Sequence, residues 1–192
     1  MRGWHARSSS APLAALDEYA VKTMRRAGST PLKSAIVAFS HLGRGGAASF
    51  ALALLVGSGH RPLGRIEGTA VSVAAIGCAL GGSTAIARSV SRPRPCDQRV
   101  RSLIPCPEGG SFPSDQAAAA FAAAEVIGWL APPARKLMLG TAATLAVARV
   151  AAGVHYPSDV IAGGIIGGAI GRAARAIAER RSSSRRPAVD PA

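Results

Sequence analysis

Three side chains in the C-terminal part of the chain have types and a spacing suited to phosphoryl transfer. Residues 149–159 read RVAAGVHYPSD and place Arg149, His155 and Asp159 at fixed offsets, where one apolar segment ends and another begins. An imidazole can attack phosphorus, a carboxylate can orient that imidazole, and a guanidinium binds phosphoryl oxygens through paired hydrogen bonds. The segment therefore predicts a phosphoryl-transfer enzyme, which needs further phosphate ligands and a proton donor elsewhere in the chain.

The composition favours helices packed in a membrane. Apolar residues make up 48% of the chain and aromatic residues only 4%, with alanine and glycine dominating the apolar runs. Small residues suit close helix packing in lipid, whereas a soluble core needs larger side chains. A soluble helical core is the alternative, because several runs are short. We predict one all-α domain over residues 11–179, an integral membrane helical bundle of five or six helices, with disordered basic segments at 1–10 and 180–192.

Apolar periodicity predicts where these helices lie. An amphipathic helix is expected over residues 12–27, where Asp17 and Glu18 interrupt the apolar run and argue against a cleavable signal peptide. A second helix, over 32–42, is too short to span a bilayer alone, so whether residues 12–43 cross the membrane stays open. Stronger segments cover 46–58, 68–87, 116–131, 137–153 and 159–178. Close packing is expected through the small residues of 68–87, including Gly77 and Gly81, and of 159–178.

The positive charge predicts an orientation. The net charge is +13, much of it within residues 88–101 and 172–186, and no RNA-binding pattern accompanies it, so we expect no nucleic-acid partner. The basic tail is expected in the cytoplasm against anionic lipid headgroups, as are the turn at residues 135–136 and the loop with Arg61 and Arg65. Loops 88–115 and 153–158 then share the extracytoplasmic side. A basic loop there violates the orientation rule, and binding an anion explains the violation.

Three clusters on that side resemble motifs of the type-2 phosphatidic acid phosphatase (PAP2) superfamily. They read ARSVSRPRP at residues 87–95, SFPSDQ at 111–116 and ARVAAGVHYPSD at 148–159. The family motifs are Lys-x6-Arg-Pro, Pro-Ser-Gly-His and Ser-Arg-x5-His-x3-Asp, in this order. The resemblance covers about residues 17–177, including the helix layout. It implies a PAP2/haloperoxidase-like helical bundle, the fold shared with the vanadium haloperoxidases.

The resemblance implies roles for five residues. His155 matches the family nucleophile, and Asp159 matches the carboxylate that accepts its Nδ1–H and leaves the lone pair on Nε2. Arg149 and Arg94 match phosphate-binding arginines, whose guanidinium groups bind phosphoryl oxygens in pairs. Ser114 matches a phosphate-binding serine at a helix N-terminus, where backbone N–H groups also favour an anion.

Two departures from the family motifs bear on the chemistry. The motif lysine falls at Ala87, where Arg88 or Arg92 could substitute, and the histidine that protonates the leaving group falls at Gln116. Asp115 is a possible substitute acid, although a carboxyl group beside several arginines is expected to be ionised. A phosphate leaving from a diphosphate is already a stable anion and needs a proton less than an alkoxide does. Gln116 therefore favours a diphosphate substrate.

The remaining ligands and cysteines give three further expectations. No His/Cys/carboxylate spacing of the zinc kind is present, so we expect no metal and no cofactor, vanadate included. Cys96 and Cys106 lie in the basic loop, where a disulfide can form outside the cytoplasm. Two free thiols are the alternative to the disulfide, which we favour.

Two classes of function follow. The first is a multi-pass cell-membrane phosphatase that hydrolyses an isoprenoid or other lipid (di)phosphate through a phosphohistidine intermediate, with its active site on the extracytoplasmic side. The second is a catalytically impaired relative that binds lipid phosphates or has a structural role in the membrane, given Gln116 and Ala87. The partners that we expect for this protein are the lipid phosphate substrate and anionic membrane lipids.

Overall fold

All regular secondary structure in the described part of the chain is helical. The computed structural model describes residues 11–26, 29–42, 63–98 and 100–184 and the single positions 46, 47, 49 and 51. Within them lie six α-helices and no strand, which confirms the all-α prediction: α1 (Ala11–Arg26), α2 (Thr30–Leu42), α3 (Arg65–Val90), α4 (Asp115–Leu130), α5 (Arg135–Ala151) and α6 (Pro157–Ser184).

Three predicted segments lie partly or wholly outside the described residues. Most of the helix predicted over 46–58 and the tails 1–10 and 185–192 lie outside the described residues. Residues 180–184, which the sequence assigned to the C-terminal tail, are helical, because α6 continues to Ser184.

Helix α4 forms the centre of the bundle and packs against α3, α5 and α6. Its sequence, DQAAAAFAAAEVIGWL, contains seven alanines, the residue with the highest helix propensity. Twelve of its sixteen residues are buried. Because alanine side chains are short, neighbouring helices can approach the α4 backbone closely on several sides.

Helix α6 makes the closest approach, through glycines four residues apart. A Cβ added to Gly163 would lie 3.2 Å from the carbonyl carbon of Ser114, and one added to Gly167 would lie 2.7 Å from that of Ala118. Gly171 continues the row against α4 one turn further along. Gly163 and Gly167 therefore pack as the sequence predicted, and they hold the N-terminal half of α6 against the N-terminal end of α4.

The glycines of α3 do not behave in this way. Ser72 and Ser83 are buried, but a Cβ added to Gly77 or Gly81 would meet nothing within 4 Å. The prediction of close packing is therefore wrong for these two glycines. Helix α3 instead packs on α4 through other residues, including Ile76.

Two segments are long and apolar enough to cross a membrane. They are Arg65–Gln98, which contains α3, and Pro157–Ser184, which is α6, with mean hydropathies of 1.7 and 1.4. Only 28% and 22% of their most apolar windows are buried inside the protein. The apolar side chains of these helices therefore point mainly outward, as helices facing lipid require and as the core helix of a soluble protein does not.

Helix α1 packs against the ends of α5 and α6. Val21 is fully buried and packs against Val150, Tyr156 and Val160. Arg25 Nε donates a 2.8 Å hydrogen bond to the carbonyl of Arg101 in the long loop. Three other apolar side chains of α1 are exposed, namely Leu13, Leu16 and Tyr19.

Candidate active site

The ends of four helices and the long loop meet at one end of the bundle. Helix α3 ends at Val90, and the chain then follows an irregular course to Ser114, where α4 begins. Backbone hydrogen bonds tie this loop to the ends of α5 and α6, namely Leu103 N–H to Ala152 O at 2.9 Å and Ser114 N–H to Asp159 O at 3.0 Å. The three clusters that the sequence predicted to converge therefore lie side by side.

His155 is buried, and its protonation is set by the backbone. The side chain is 1% exposed, and its Nδ1 lies 2.9 Å from the carbonyl oxygen of Ser111. Because a carbonyl can only accept, Nδ1 carries the hydrogen and Nε2 carries the lone pair. The imidazole thus has the tautomer that a nucleophile acting through Nε2 needs.

Asp159 lies close to His155 but does not take its hydrogen bond. Its Oδ2 is 3.6 Å from Nδ1 and instead accepts a 2.8 Å hydrogen bond from the backbone N–H of Tyr156. The expectation that Asp159 accepts Nδ1–H is therefore corrected, because the Ser111 carbonyl occupies that direction. Asp159 acts on the imidazole through its nearby carboxylate, which raises the pKa of His155, and by holding the turn that carries His155.

The pKa of His155 lies below its ordinary value. Burial of the imidazole is the main cause, and the positive charges of Arg149 and Arg94 lower the pKa further, while the nearby carboxylate of Asp159 opposes them. The imidazole is therefore neutral near pH 7, with its Nε2 lone pair available.

Arg94 is fixed against His155 by backbone carbonyls. Its Nη1 lies 3.1 Å from His155 Nε2, and the guanidinium also donates to three carbonyls at 3.0–3.1 Å, those of Gly109, Gly110 and Val154. Its backbone N–H donates to the Asp97 carboxylate at 3.0 Å. A rigid positive fork therefore lies beside the lone pair of the imidazole, where an incoming phosphoryl group would lie.

Arg149 and Ser114 are the two other phosphate ligands that the sequence predicted. Arg149 lies in the last turn of α5, is 5% exposed, and is close enough to His155 to lower its pKa. Ser114 is fully buried, and its Oγ caps α4 by accepting from Ala117 N–H at 3.4 Å. Both residues therefore belong to the site region.

Three predicted residues have less direct positions. Asp115 uses its carboxylate to accept from the backbone N–H of Gln116 at 2.8 Å. Gln116 is buried, and its Oε1 has no hydrogen-bond partner among the described residues. Arg88 is exposed, and no hydrogen bond or ion pair joins its side chain to the described part of the chain. No contact with the described residues therefore positions Arg88, and its substitution for the motif lysine stays a prediction.

Arg92 is occupied by carboxylates rather than left open for phosphate. Its Nη1 lies 2.6 Å from Asp159 Oδ1, and its Nη2 lies 2.9 Å from Asp17 Oδ2. The guanidinium also stacks 4.2 Å from the ring centroid of Tyr156. The expectation that Arg92 binds phosphate is corrected on this geometry, because its donors already neutralise two buried acids.

The sequence reasoning missed the role of Asp17 and Ser158. Asp17 is 3% exposed and accepts from Ser158 N–H at 3.0 Å, as well as from the Ser158 hydroxyl. Its only sequence signal was an acidic residue within the apolar run of an amphipathic helix. That signal does not reveal a partner 141 residues away.

The loop that carries Arg94 is closed by a disulfide between Cys96 and Cys106, as the sequence favoured. Asp97, which binds the Arg94 backbone, lies inside this ring. The disulfide therefore braces the segment that presents Arg94 to His155.

The fold and the site together define a class of protein: an all-α membrane bundle whose helix ends hold a buried, neutral histidine among arginines. The chain matches the model of the PAP2 superfamily over residues 68–183 and belongs to that superfamily.

Solved structures share the fold at low sequence identity. A transmembrane PAP2-type phosphatidylglycerolphosphate phosphatase from Bacillus subtilis is 19% identical, with a TM-score of 0.76 over 92% of this chain and 89% of that one. LpxE from Aquifex aeolicus is 22% identical, with a TM-score of 0.57 over 84% of this chain and 95% of that one. A comparison with curated protein sequences gave no match.

Proposed function

We propose that this protein is a membrane lipid phosphatase that forms a phosphohistidine at His155. The observation that carries the proposal is the His155 tautomer: Nδ1 donates to the Ser111 carbonyl, and Nε2 directs its lone pair toward Arg94. Membership of the PAP2 superfamily and the phosphatase activity named for the Bacillus subtilis relative support it.

The reaction has two steps. The Nε2 lone pair attacks phosphorus, an N–P bond forms, and the P–O bond to the leaving group breaks with its electron pair on that oxygen. Water then attacks the phosphohistidine, a P–O bond forms, and the N–P bond breaks with its electron pair returning to Nε2. One hydrogen of that water stays on the inorganic phosphate that leaves, and the other is released to solvent as a proton. The positive charges of Arg94 and Arg149 stabilise the charge on the phosphoryl oxygens in both steps.

Arg94 changes partner when substrate binds. Its Nη1 now donates to the Nε2 lone pair, and a phosphoryl oxygen would take over that donor while phosphorus approaches Nε2. The three carbonyls around Arg94 keep the guanidinium in place during this exchange. Arg94 therefore holds the imidazole before binding and the phosphate afterwards.

Gln116 favours a diphosphate within this function. A neutral amide cannot supply the proton that an alkoxide leaving group needs, and loss of a general acid costs about 10²–10⁴-fold in rate. A phosphate leaving group departs as an anion, so its rate depends less on that proton. An isoprenoid diphosphate fits both this chemistry and a membrane enzyme.

An apolar groove supports a lipid substrate. A cavity of about 620 Å³ opens between α4, α5 and α6 and is lined mainly by apolar side chains. Val150, Pro157 and Val160 line its wall next to the residues of the site, while Glu125 and Arg172 lie further along α4 and α6. We propose that the hydrocarbon chain of the substrate occupies this groove while its phosphate lies at His155.

The proposed activity is tested by phosphate release in detergent micelles, with His155→Ala and a matched control. His41 is exposed on α2 and lies outside the site, so His41→Ala should keep parental activity. We expect His155→Ala to lower turnover by at least about 10³-fold, and ³²P from labelled substrate to appear on the parent protein in acid-labile form. Equal release by the parent and His155→Ala would overturn the proposal.

A substrate panel tests the preference for diphosphate. Polyprenyl diphosphate, polyprenyl monophosphate, phosphatidic acid and phosphatidylglycerol phosphate would be compared at equal mole fraction. We expect Gln116→His to raise monoester turnover more than diphosphate turnover. An equal rise for both substrate types would contradict the leaving-group reasoning.

A catalytically impaired lipid-phosphate binder is the second candidate. The observation that favours it is Gln116, whose buried amide cannot donate a proton to the leaving group. Its signature would be saturable binding of a lipid phosphate to the parent protein, without phosphate release above the His155→Ala background.

We also propose that the site lies on the extracytoplasmic side, with the C-terminus in the cytoplasm. Glu125 pairs with Arg172 at 3.2 Å and with Arg135 at 3.8 Å, which groups the α4–α5 turn and the basic end of α6 away from His155. Positive charge of this kind favours the cytoplasmic side and anionic headgroups. A C-terminal alkaline phosphatase fusion should be inactive and a fluorescent protein fusion bright. The reverse pattern would invert the orientation.

A further inference from the structure

The carboxylate of Asp17 on α1 is bound entirely to catalytic-site elements. Oδ1 accepts from the backbone N–H of Ser158 at 3.0 Å, and Oδ2 accepts from the Ser158 hydroxyl and from Arg92 Nη2 at 2.9 Å. Asp17 is 3% exposed. A buried carboxylate is unfavourable unless it is paired, and replacing such a pair by apolar residues is often neutral for stability. Stability therefore gives little reason for an acid at this position.

Arg92 connects Asp17 to the acid beside the proposed nucleophile. One guanidinium nitrogen binds Asp17 and the other binds Asp159 Oδ1, so a single planar group fixes the distance between the two carboxylates. The second oxygen of Asp159 lies 3.6 Å from His155 Nδ1. If Asp17 lost its charge, Arg92 would be left with Asp159 alone and could pull that carboxylate out of its present orientation.

Ser158 provides a second connection. Its backbone N–H belongs to the first turn of α6, where helix N–H groups lack partners within the helix. Asp17 supplies one of these partners, and a negative charge at this end also complements the helix dipole. Asp159 is the next residue, so Asp17 fixes the turn that carries it.

We propose that Asp17 is a positioning residue for catalysis, which acts through Arg92 and Ser158 to hold Asp159 in register with His155. The inference rests on the proposed phosphatase function. It makes α1 part of the active-site machinery, although the Asp17 carboxylate itself contacts only Arg92 and Ser158.

Asp17→Asn is the direct test, because asparagine keeps the size and removes the charge. Glu18→Gln is the matched control, since Glu18 is the next residue on α1 but is half-exposed and pairs with Lys22. We expect Asp17→Asn to lower kcat by about 10–100-fold, as misplacement of a catalytic group does. KM should stay constant or fall, because the site then carries one negative charge less and attracts phosphate more strongly. Glu18→Gln should match the parent in both constants.

A double-mutant cycle with Arg92→Gln distinguishes positioning from a general structural effect. Because Asp17 acts partly through Arg92, the double variant should lose less turnover than the product of the two single effects. Fully multiplicative effects would overturn the proposal, and so would an Asp17→Asn kcat within twofold of the parent. If Asp17→Asn does not fold, Ser158→Ala carries the test, because it removes the hydroxyl shared by Asp17 and Arg92. It should lower kcat several-fold at constant KM, and parental kcat would overturn the proposal.

The outcomes separate this inference from the proposed function. A parent whose turnover does not depend on His155 would refute both. A His155-dependent parent with an unaffected Asp17→Asn variant would refute the positioning role of Asp17 alone.

Discussion

Replacing Gly167 with alanine perturbs the contact between α6 and α4, the two helices whose first residues include Asp159 and follow Ser114 in the site. A Cβ at Gly167 would lie 2.7 Å from the carbonyl carbon and 2.8 Å from the Cα of Ala118. Nonbonded carbons prefer about 3.5–4.0 Å, so α4 and α6 would have to separate by about 1 Å. Because the backbone of a buried helix cannot rotate away as a side chain can, we expect a loss of about 1–3 kcal/mol in the free energy of unfolding.

The separation should also reach the site. Ser114 and Asp159 lie at the site end of this helix pair and are joined by the 3.0 Å hydrogen bond between Ser114 N–H and the Asp159 carbonyl. A displacement of about 1 Å in a catalytic group can lower turnover by about 10²-fold. Gly140→Ala is the matched control, because Gly140 is also helical and its added Cβ would meet nothing within 4 Å.

Thermal unfolding and phosphate release in detergent would be measured for the parent and both variants. Gly167→Ala should unfold at a lower temperature and turn over more slowly. Gly140→Ala should keep parental turnover and unfold at the parental temperature or above, since alanine favours a helix over glycine by up to about 1 kcal/mol. Gly167→Ala indistinguishable from Gly140→Ala in both measurements would refute the reasoning.

Three further predictions concern the site itself. Because burial holds the pKa of His155 below its ordinary value of about 6.5, kcat/KM should stay constant down to about pH 6.5 and fall only at lower pH. As the pH falls, the imidazole of His155 is protonated in the unfolded chain before it is protonated in the folded protein, so the free energy of unfolding should also decrease below about pH 6.5. A kcat/KM that already falls above pH 6.5 would contradict the lowered pKa of His155. Arg94→Lys should lower kcat/KM by about 10²-fold, since lysine lacks the planar fork, whereas the exposed Arg88→Lys should be neutral in the same phosphate-release assay. Cys96→Ser should lower the unfolding temperature, with a cost of about 2–4 kcal/mol, and slow turnover by loosening the loop of Arg94. Cys78→Ser should do neither, and a parent unaffected by reductant would contradict this role of the disulfide.

The sequence predicted the helices more fully than their contacts. Apolar segments predicted α3, α4 and α5 to within three residues at each end and α6 to within six, because a helix built mainly from apolar residues leaves a continuous apolar signal. The glycines of α3 and α6 looked alike in the sequence. Gly167 packs on α4 and Gly77 faces open space, since the value of a small residue depends on which neighbour its face meets.

The sequence likewise predicted which residues lie in the site better than it predicted their contacts. His155 and Asp159 are four residues apart around the start of α6, so local spacing alone brings them together, and motif order predicted that Arg94, Ser114 and Arg149 would join them. Arg92 was assigned to phosphate because an arginine in a basic loop gives no sign of the carboxylates that it will meet.

The sequence by itself therefore determined which groups meet at this end of the bundle and which helix ends hold them. Only the tertiary structure decided how those groups are held: the Ser111 carbonyl takes the Nδ1 proton of His155, and Asp17 reaches Arg92 from another helix. The physical reason is that a hydrogen bond depends on direction and on distances of about 3 Å. Sequence spacing sets such distances only within one element, and contacts between elements are set by how the helices pack.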